Sequence, residues 1–149
     1  MKIIANNKKA NHDYFINEKF EAGIILTGSE VKSLRINTGS IKESYITDKE
    51  GELWLTNCYI KKYSSSNEKS DTSRDRKLLV SKKEINKILG ASKKEGMTIV
   101  PIILYFNTKG LAKLTIGLAK GKKKQDKRHS IKDKEWSIKQ QRLVKNRLI

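Results

Sequence analysis

The sequence predicts a mainly β protein: a small antiparallel OB-like barrel of about six strands with two short helices over residues 1–119, then a basic C-terminal tail over 120–149. Three observations predict this. Runs rich in β-branched and aromatic residues recur between clusters of turn-forming residues. Two stretches carry the helix-start pattern in which a hydroxyl accepts from the third helical amide and a Glu reaches back. The last thirty residues hold twelve Lys/Arg against three acids, a net +9 of the chain's +17, and their apolar residues form no single face.

In chain order, Asn6-Asn7-Lys8-Lys9-Ala10-Asn11-His12 is a basic, amide-rich segment before the first expected strand. It is either a solvated terminus or a set of donors for phosphate and 2′-hydroxyl groups. Tyr14 to Leu26 reads as one or two strands, and Thr27-Gly28-Ser29-Glu30 opens a short helix that turns Val31 and Leu34 inward. Ser40 to Thr47 pairs with Leu53 to Lys61 through the turn Asp48-Lys49-Glu50-Gly51. Ser64 to Asp75 has no apolar residue and reads as a mobile loop. Arg76 to Val80 is a short strand, and Ser81-Lys82-Lys83-Glu84 starts a helix expected to stop at Gly90. Thr98 to Phe106 and Leu111 to Ala119 form a hairpin across Asn107-Thr108-Lys109-Gly110, with Pro101 marking a bulge or an edge. Leu114, Ile116 and Leu118 alternate with Lys113, Thr115 and Gly117, the pattern of a half-buried strand. Strand order is not legible at this level.

Composition narrows function. With 36% hydrophobic and 33% charged residues and a mean hydropathy of −0.65, the chain is expected to be a soluble domain with a modest core. No apolar run approaches the roughly 18–20 residues that span a bilayer, and the opening Met1 to Asn7 turns polar too soon for a secretory signal, so a cytoplasmic address is expected. The single Cys58 sits in an apolar run and is expected to be buried and inert. One Cys and two His are too few for a Cys/His zinc site, so no metal is expected. Catalytic material is equally thin, and neither enzyme activity nor a cofactor is expected. His12-Asp13 is the single His–acid neighbour pair, and on a strand the two side chains would point to opposite faces. The glycines match neither a P-loop nor a dinucleotide fingerprint.

A charge of +17 attracts polyanions, and the candidates are nucleic acid and anionic membrane. A membrane helix needs a continuous apolar face. Wound as a helix, the tail puts Ile131, Ile138 and Ile149 on one side, Trp136 and Leu143 nearly opposite, and Val144 and Leu148 between, which favours nucleic acid. Two further basic features stand out. Arg74-Asp75-Arg76-Lys77-Leu78-Leu79 puts three cations at a strand entrance, which is also how an exposed strand end with Asp75 pairing an Arg would read. Gly121-Lys122-Lys123-Lys124-Gln125-Asp126-Lys127-Arg128 is the densest run, either a solvated charge block or the outward continuation of a basic barrel surface. Trp136 either packs back on the barrel or anchors in a partner's groove.

Five separated motifs, in one order over nearly the whole chain, resemble the SmpB family, the SsrA-binding proteins of bacterial trans-translation. They are Asn7-Lys8-Lys9-Ala10-x-His12-Asp13-Tyr14-Phe15-Ile16, Glu21-Ala22-Gly23-Ile24, Gly28-Ser29-Glu30-Val31-Lys32-Ser33-Leu34-Arg35, Arg76-Lys77-Leu78-Leu79 and Gly121-Lys122-Lys123-x-x-Asp126-Lys127-Arg128. The resemblance implies an OB-like barrel that binds the tRNA-like domain of tmRNA (SsrA RNA) in place of its missing anticodon arm. It implies a tail, disordered when free, that folds as a helix in the small-subunit decoding centre and empty mRNA channel of a stalled ribosome. Alanyl-tmRNA then arrives with elongation factor Tu, which is an indirect partner. By this resemblance Asn7, Lys8, His12, Glu21, Arg76, Lys77, Leu78 and Lys122 face tmRNA, while Gln125, Asp126, Lys127, Arg128, Trp136, Leu143, Val144 and Lys145 meet the ribosome. Two departures mark this chain. Gln125 stands where the family usually has a His or aromatic residue, and Thr72-Ser73 where a Pro often precedes the Arg-x-Arg-Lys-Leu run. A generic OB-type ribosomal or single-strand binder is the other binding reading, for which stacking aromatics beyond the ten present would be expected.

Overall fold

The structure, a computed structural model, describes residues 1–36, 39–63 and 72–122. The elements run β1 (Lys2–Asn6), α1 (Lys9–Asp13), β2 (Tyr14–Ile24), α2 (Gly28–Ile36), β3 (Tyr45–Lys49), β4 (Glu52–Thr56), β5 (Arg76–Leu79), α3 (Lys82–Glu95), β6 (Thr98–Phe106) and β7 (Ala112–Gly121). All seven strands join one antiparallel sheet in the order β1-β6-β7-β2-β5-β4-β3. The mainly β expectation holds, with the sheet curled around a core but not closed, since the end strands β1 and β3 do not pair with each other.

Local signals form the elements where they are strong. At α2 the Thr27 amide donates to Glu30 Oε1 at 2.9 Å and the Glu30 amide donates to Thr27 Oγ1 at 3.2 Å, so two orphan donors are satisfied reciprocally. At α3 the Glu84 amide donates to Ser81 Oγ. The β3–β4 turn places Glu50 and Gly51 at positive φ (54° and 77°), the geometry of a tight two-residue hairpin. In the β6–β7 turn, Asn107 Oδ1 accepts from the Lys109 and Leu111 amides and Gly110 takes φ 78°.

Several expectations change. Lys2–Asn6 is a seventh strand, too short to announce itself, held because Ile4 is buried and the strand pairs with β6. Lys9–Asp13 is a third helix with no side-chain cap, held because Ala10, 1% exposed, packs with Val100, Ile102 and Ala119 in a small second cluster. The strand expected from Ser40 begins at Tyr45, with Ser40 making a lone bridge to Tyr59. The partner expected to reach Lys61 ends at Thr56, because Asn57 takes φ 60°. Helix α3 runs through Gly90 to Glu95, and Gly96 provides the left-handed cap instead. Pro101 marks a bulge inside the sheet, where the β6–β7 register shifts between Pro101 and Ile103. The loop expected at 64–75 lies outside the described residues from 64 to 71.

The main core gathers residues from most of the elements, among them Leu34, Leu53, Leu55, Leu78, Ile88, Leu104, Leu114 and Ile116. Cys58 lies within it as expected, and burial pushes its thiol up to about 11, which keeps it protonated. Strand β7 is half-buried only along its first part. Gly117 and Ala119, on the opposite face from Leu118, are covered by the second cluster. A Cβ on Gly117 would lie 2.7 Å from Ile102 Cδ1 and 3.1 Å from Ile16 Cγ2. Gly117→Ala is therefore expected to cost roughly 1–2 kcal/mol, overpacking outweighing the entropy it saves, as a lower denaturation midpoint would show. Among the described residues, no helix is long and apolar enough to cross a membrane.

Candidate nucleic-acid interface

The residues singled out from the sequence fall in three places on this sheet. The first is the end where α1 meets the exit of β7. Asn7 donates its side-chain amide to the Pro101 carbonyl at 2.9 Å and its backbone amide to Ile102, filling the gap that the Pro101 bulge opens. Lys8 is exposed at the α1 N-cap. His12 Nδ1 lies 2.9 Å from Asp13 Oδ1, so these neighbours do meet. They lie in a helical turn rather than on a strand, where they would have diverged. Lys122 is tied back to the same turn: its amide donates to the Asp13 carbonyl at 2.7 Å and its Nζ to the Asn11 carbonyl at 2.9 Å. Its ammonium also lies 4.9 Å from the Phe15 ring centroid, a cation–π distance. Asn7, Lys8, His12 and Lys122, more than 100 residues apart at the extremes, thus form one rim, and the chain beyond Lys122 leaves from it.

The second place is β5. Arg76 is 0% exposed and Leu78 is in the core, so of Arg76-Lys77-Leu78 it is Lys77 that faces outward, where its Nζ lies 3.0 Å from Glu52. Arg76 is held by Glu30, itself 5% exposed. Its Nε donates to Glu30 Oε2 at 2.7 Å, and its two Nη groups reach the Cys58, Arg74 and Thr72 carbonyls. Arg74 Nη2 donates to the other oxygen, Oε1, at 2.5 Å. Burial would raise the Glu30 pKa, but the hydrogen bonds from Arg74, the Thr27 amide and Arg76 outweigh it and hold the carboxyl below the usual glutamate range. In this geometry Arg76 and Leu78 hold the strand, leaving Lys77 and the exposed Leu79 as its outer surface. Asp75 pairs with Lys49 at 2.6 Å rather than with an arginine side chain.

The third place is the outer face of β2. Glu21 is exposed opposite Thr115 on β7 and beside Tyr105, whose phenol pKa is raised by burial and by the Glu21 carboxylate. The residues expected to meet the ribosome, Gln125, Asp126, Lys127, Arg128, Trp136, Leu143, Val144 and Lys145, lie outside the described residues.

Two contributors escaped the sequence reading. Glu30 carried a capping signature and a place in a family motif but no sign of an ion pair, and that second role depends on an arginine 46 residues away. Phe15, 50% exposed under Lys122, stood in the sequence only within an expected strand and a family motif, and no local signal marks it as a partner of Lys122. The described residues offer no group of three or more His, Cys, Asp or Glu placed to hold a metal. Fixed cations and amides beside an exposed ring, on a rigid sheet, are groups of the kind that contact phosphate, sugar and base faces.

A curled antiparallel sheet with a cationic rim and a basic extension defines an OB-like β module of the basic, polyanion-facing class. The chain belongs to the SmpB protein family, whose model matches residues 4–146. It is 52% identical to the SsrA-binding protein of Wolbachia pipientis subsp. Culex pipiens (strain wPip) over 149 residues, 99% of this chain and 100% of that protein. It is 48% identical to the SsrA-binding protein of Sinorhizobium fredii (strain NBRC 101917 / NGR234) over 147 residues, 98% of this chain and 92% of the relative. A solved chain from the study "tmRNA-SmpB: a journey to the center of the bacterial ribosome" matches with a TM-score of 0.65 and 42% identity, covering 85% of this chain and 92% of that one.

Proposed function

We propose that this chain is a non-enzymatic, cytoplasmic RNA-binding adaptor of trans-translation. Its barrel binds the tRNA-like domain of tmRNA (SsrA RNA) and stands in for the anticodon arm. Its tail enters the decoding centre and vacant mRNA channel of a stalled ribosome, and alanyl-tmRNA brought by elongation factor Tu is accommodated for nascent-peptide tagging and rescue. The observation that carries this reading is full-length membership of a family whose relatives are named for SsrA binding.

The physics supports a division of labour. Asn7, Lys8, His12 and Lys122 form a rim of donors held on rigid backbone, suited to RNA phosphate and 2′-hydroxyl groups. Glu21, an acid that would repel phosphate, serves as an acceptor toward a base amino group. Arg76 and Leu78 contribute by keeping β5 in place, with Lys77 the contacting side chain. Residues 123–149 hold ten Lys/Arg against three acids, and they meet ribosomal RNA phosphate. RNA purified with the full-length protein from its own cells is expected to be dominated by tmRNA on sequencing. A mixture that follows total cellular RNA would replace this reading with general single-strand binding.

A further inference from the structure

The open seam of the sheet holds a polar cleft. Strand β3 pairs only with β4, and the first residues of β6, Thr98 to Val100, pair only with β7, because β1 joins β6 no earlier than Ile103. Two strand edges therefore face each other across a gap, with no ladder partner for either among the described residues. At one end of the gap is a cleft of about 280 Å³ lined by the start of β6, by Lys42 to Tyr45 at the entry to β3, and by the α1 turn. At its wall are Tyr45, 52% exposed, and Asn7, whose side chain is pinned by its bond to Pro101. Its charges balance: Lys9 and Lys42 against Asp13 and Glu43.

We infer that this seam receives a single unstacked nucleobase of the bound RNA, a role that rests on the function proposed above and adds to it a specific contact. Balanced charge disfavours a phosphate as the occupant, whereas an uncharged planar heterocycle meets what the cleft supplies. Tyr45 offers a ring to stack on, Glu43 an acceptor, and the edge of β6 at Thr98 to Val100 backbone N–H and C=O groups to pair with the edge of a base. The volume falls below the about 300–1,000 Å³ of sites for drug-sized ligands, so it suits one base rather than a run of them. Position agrees. Asp13 lines the cleft, and its carbonyl anchors Lys122 of the cationic rim, so a backbone held at the rim can drop a base into the seam.

The test titrates full-length protein with tmRNA across a salt series. Tyr45→Ala is expected to weaken binding about tenfold while Tyr45→Phe stays within about twofold, since the ring supplies the stacking. The slope of log K against log salt should be unchanged, because no phosphate contact is removed. Tyr45 is half-exposed, and unchanged far-UV circular dichroism checks that the variant is folded. Full affinity in Tyr45→Ala overturns the inference and leaves the proposed function standing. A flattened salt slope also overturns it, by making the cleft a phosphate site, and so does wild-type behaviour toward tmRNA combined with capture of an extended peptide along β3. Failure of the unaltered protein to bind tmRNA removes both the inference and the function beneath it.

Discussion

A chain ending at Lys122 is expected to bind tmRNA within a few-fold of the full-length affinity and to leave nascent peptides on stalled ribosomes untagged. The core strands, the rim and every partner named for Asn7, His12 and Lys122 lie before the cut, so the shortened chain keeps the proposed RNA-holding rim. The cut removes residues 123–149, with ten Lys/Arg and three acids. A segment making several phosphate contacts carries most of its binding energy as counterion release, so under the proposed function its loss is expected to be felt at the ribosome. Lys127→Ala with Arg128→Ala should act in the same direction in the full-length chain: tagging falls while affinity for the isolated tRNA-like domain stays. Purified stalled ribosomes with alanyl-tmRNA and elongation factor Tu provide the assay. Normal tagging by the shortened chain would show that the barrel alone performs both tasks.

Glu30→Ala is expected to destabilise the fold by about 3–5 kcal/mol, because it leaves the fully buried Arg76 guanidinium without its counter-ion. Against a typical total of about 5–15 kcal/mol, that loss lowers the thermal midpoint by roughly 10 °C or more. Arg76→Ala should cost a similar amount, stranding Glu30 with Arg74 as its remaining cation. The pH dependence has a definite sign. The folded-state pKa of Glu30 lies below its unfolded value, so its contribution is fully present above the unfolded range near about 4.3 and fades as pH falls through the folded value. Wild type and Glu30→Ala should therefore differ most near neutrality and converge in acid. A denaturant titration at two pH values checks this, and a neutral-pH loss below about 1 kcal/mol would mean that the cluster relaxes around the missing carboxylate. Because Arg76 is fully buried in this cluster, any loss of RNA binding in Arg76→Ala is expected to come through the fold rather than through a lost contact. Lys77→Ala, which leaves the cluster intact, separates the two effects.

Elements whose determinants are neighbours in the chain were legible. The reciprocal Thr27–Glu30 cap, the Ser81 cap, the Glu50-Gly51 turn and the 98–121 hairpin each depend on residues within a few positions of one another. β1 and α1 were not, since five residues carry too little periodicity to stand out and both exist because something distant covers them. The candidate site divides the same way. A basic rim could be anticipated from Asn7 to His12 and from Lys122, but their convergence required the Asp13–Lys122 and Asn7–Pro101 bonds.

Arg76 shows where the division falls. Three cations in Arg74-Asp75-Arg76-Lys77 look alike in a sequence, and solvation makes an exposed strand end the cheapest place for all of them. Strand alternation puts Arg76 on the same face as Leu78, and the buried Glu30 carboxylate with three backbone carbonyls makes that face tolerable for a charge. From the chain alone came the β class, the family resemblance, the excess of positive charge and its concentration in the last thirty residues, because these are sums over residues or patterns within a short span. Tertiary structure decided the strand order, the open seam, which cation turns inward and which side chains share the rim. Those depend on contacts between residues far apart in sequence, whose energies no local pattern records.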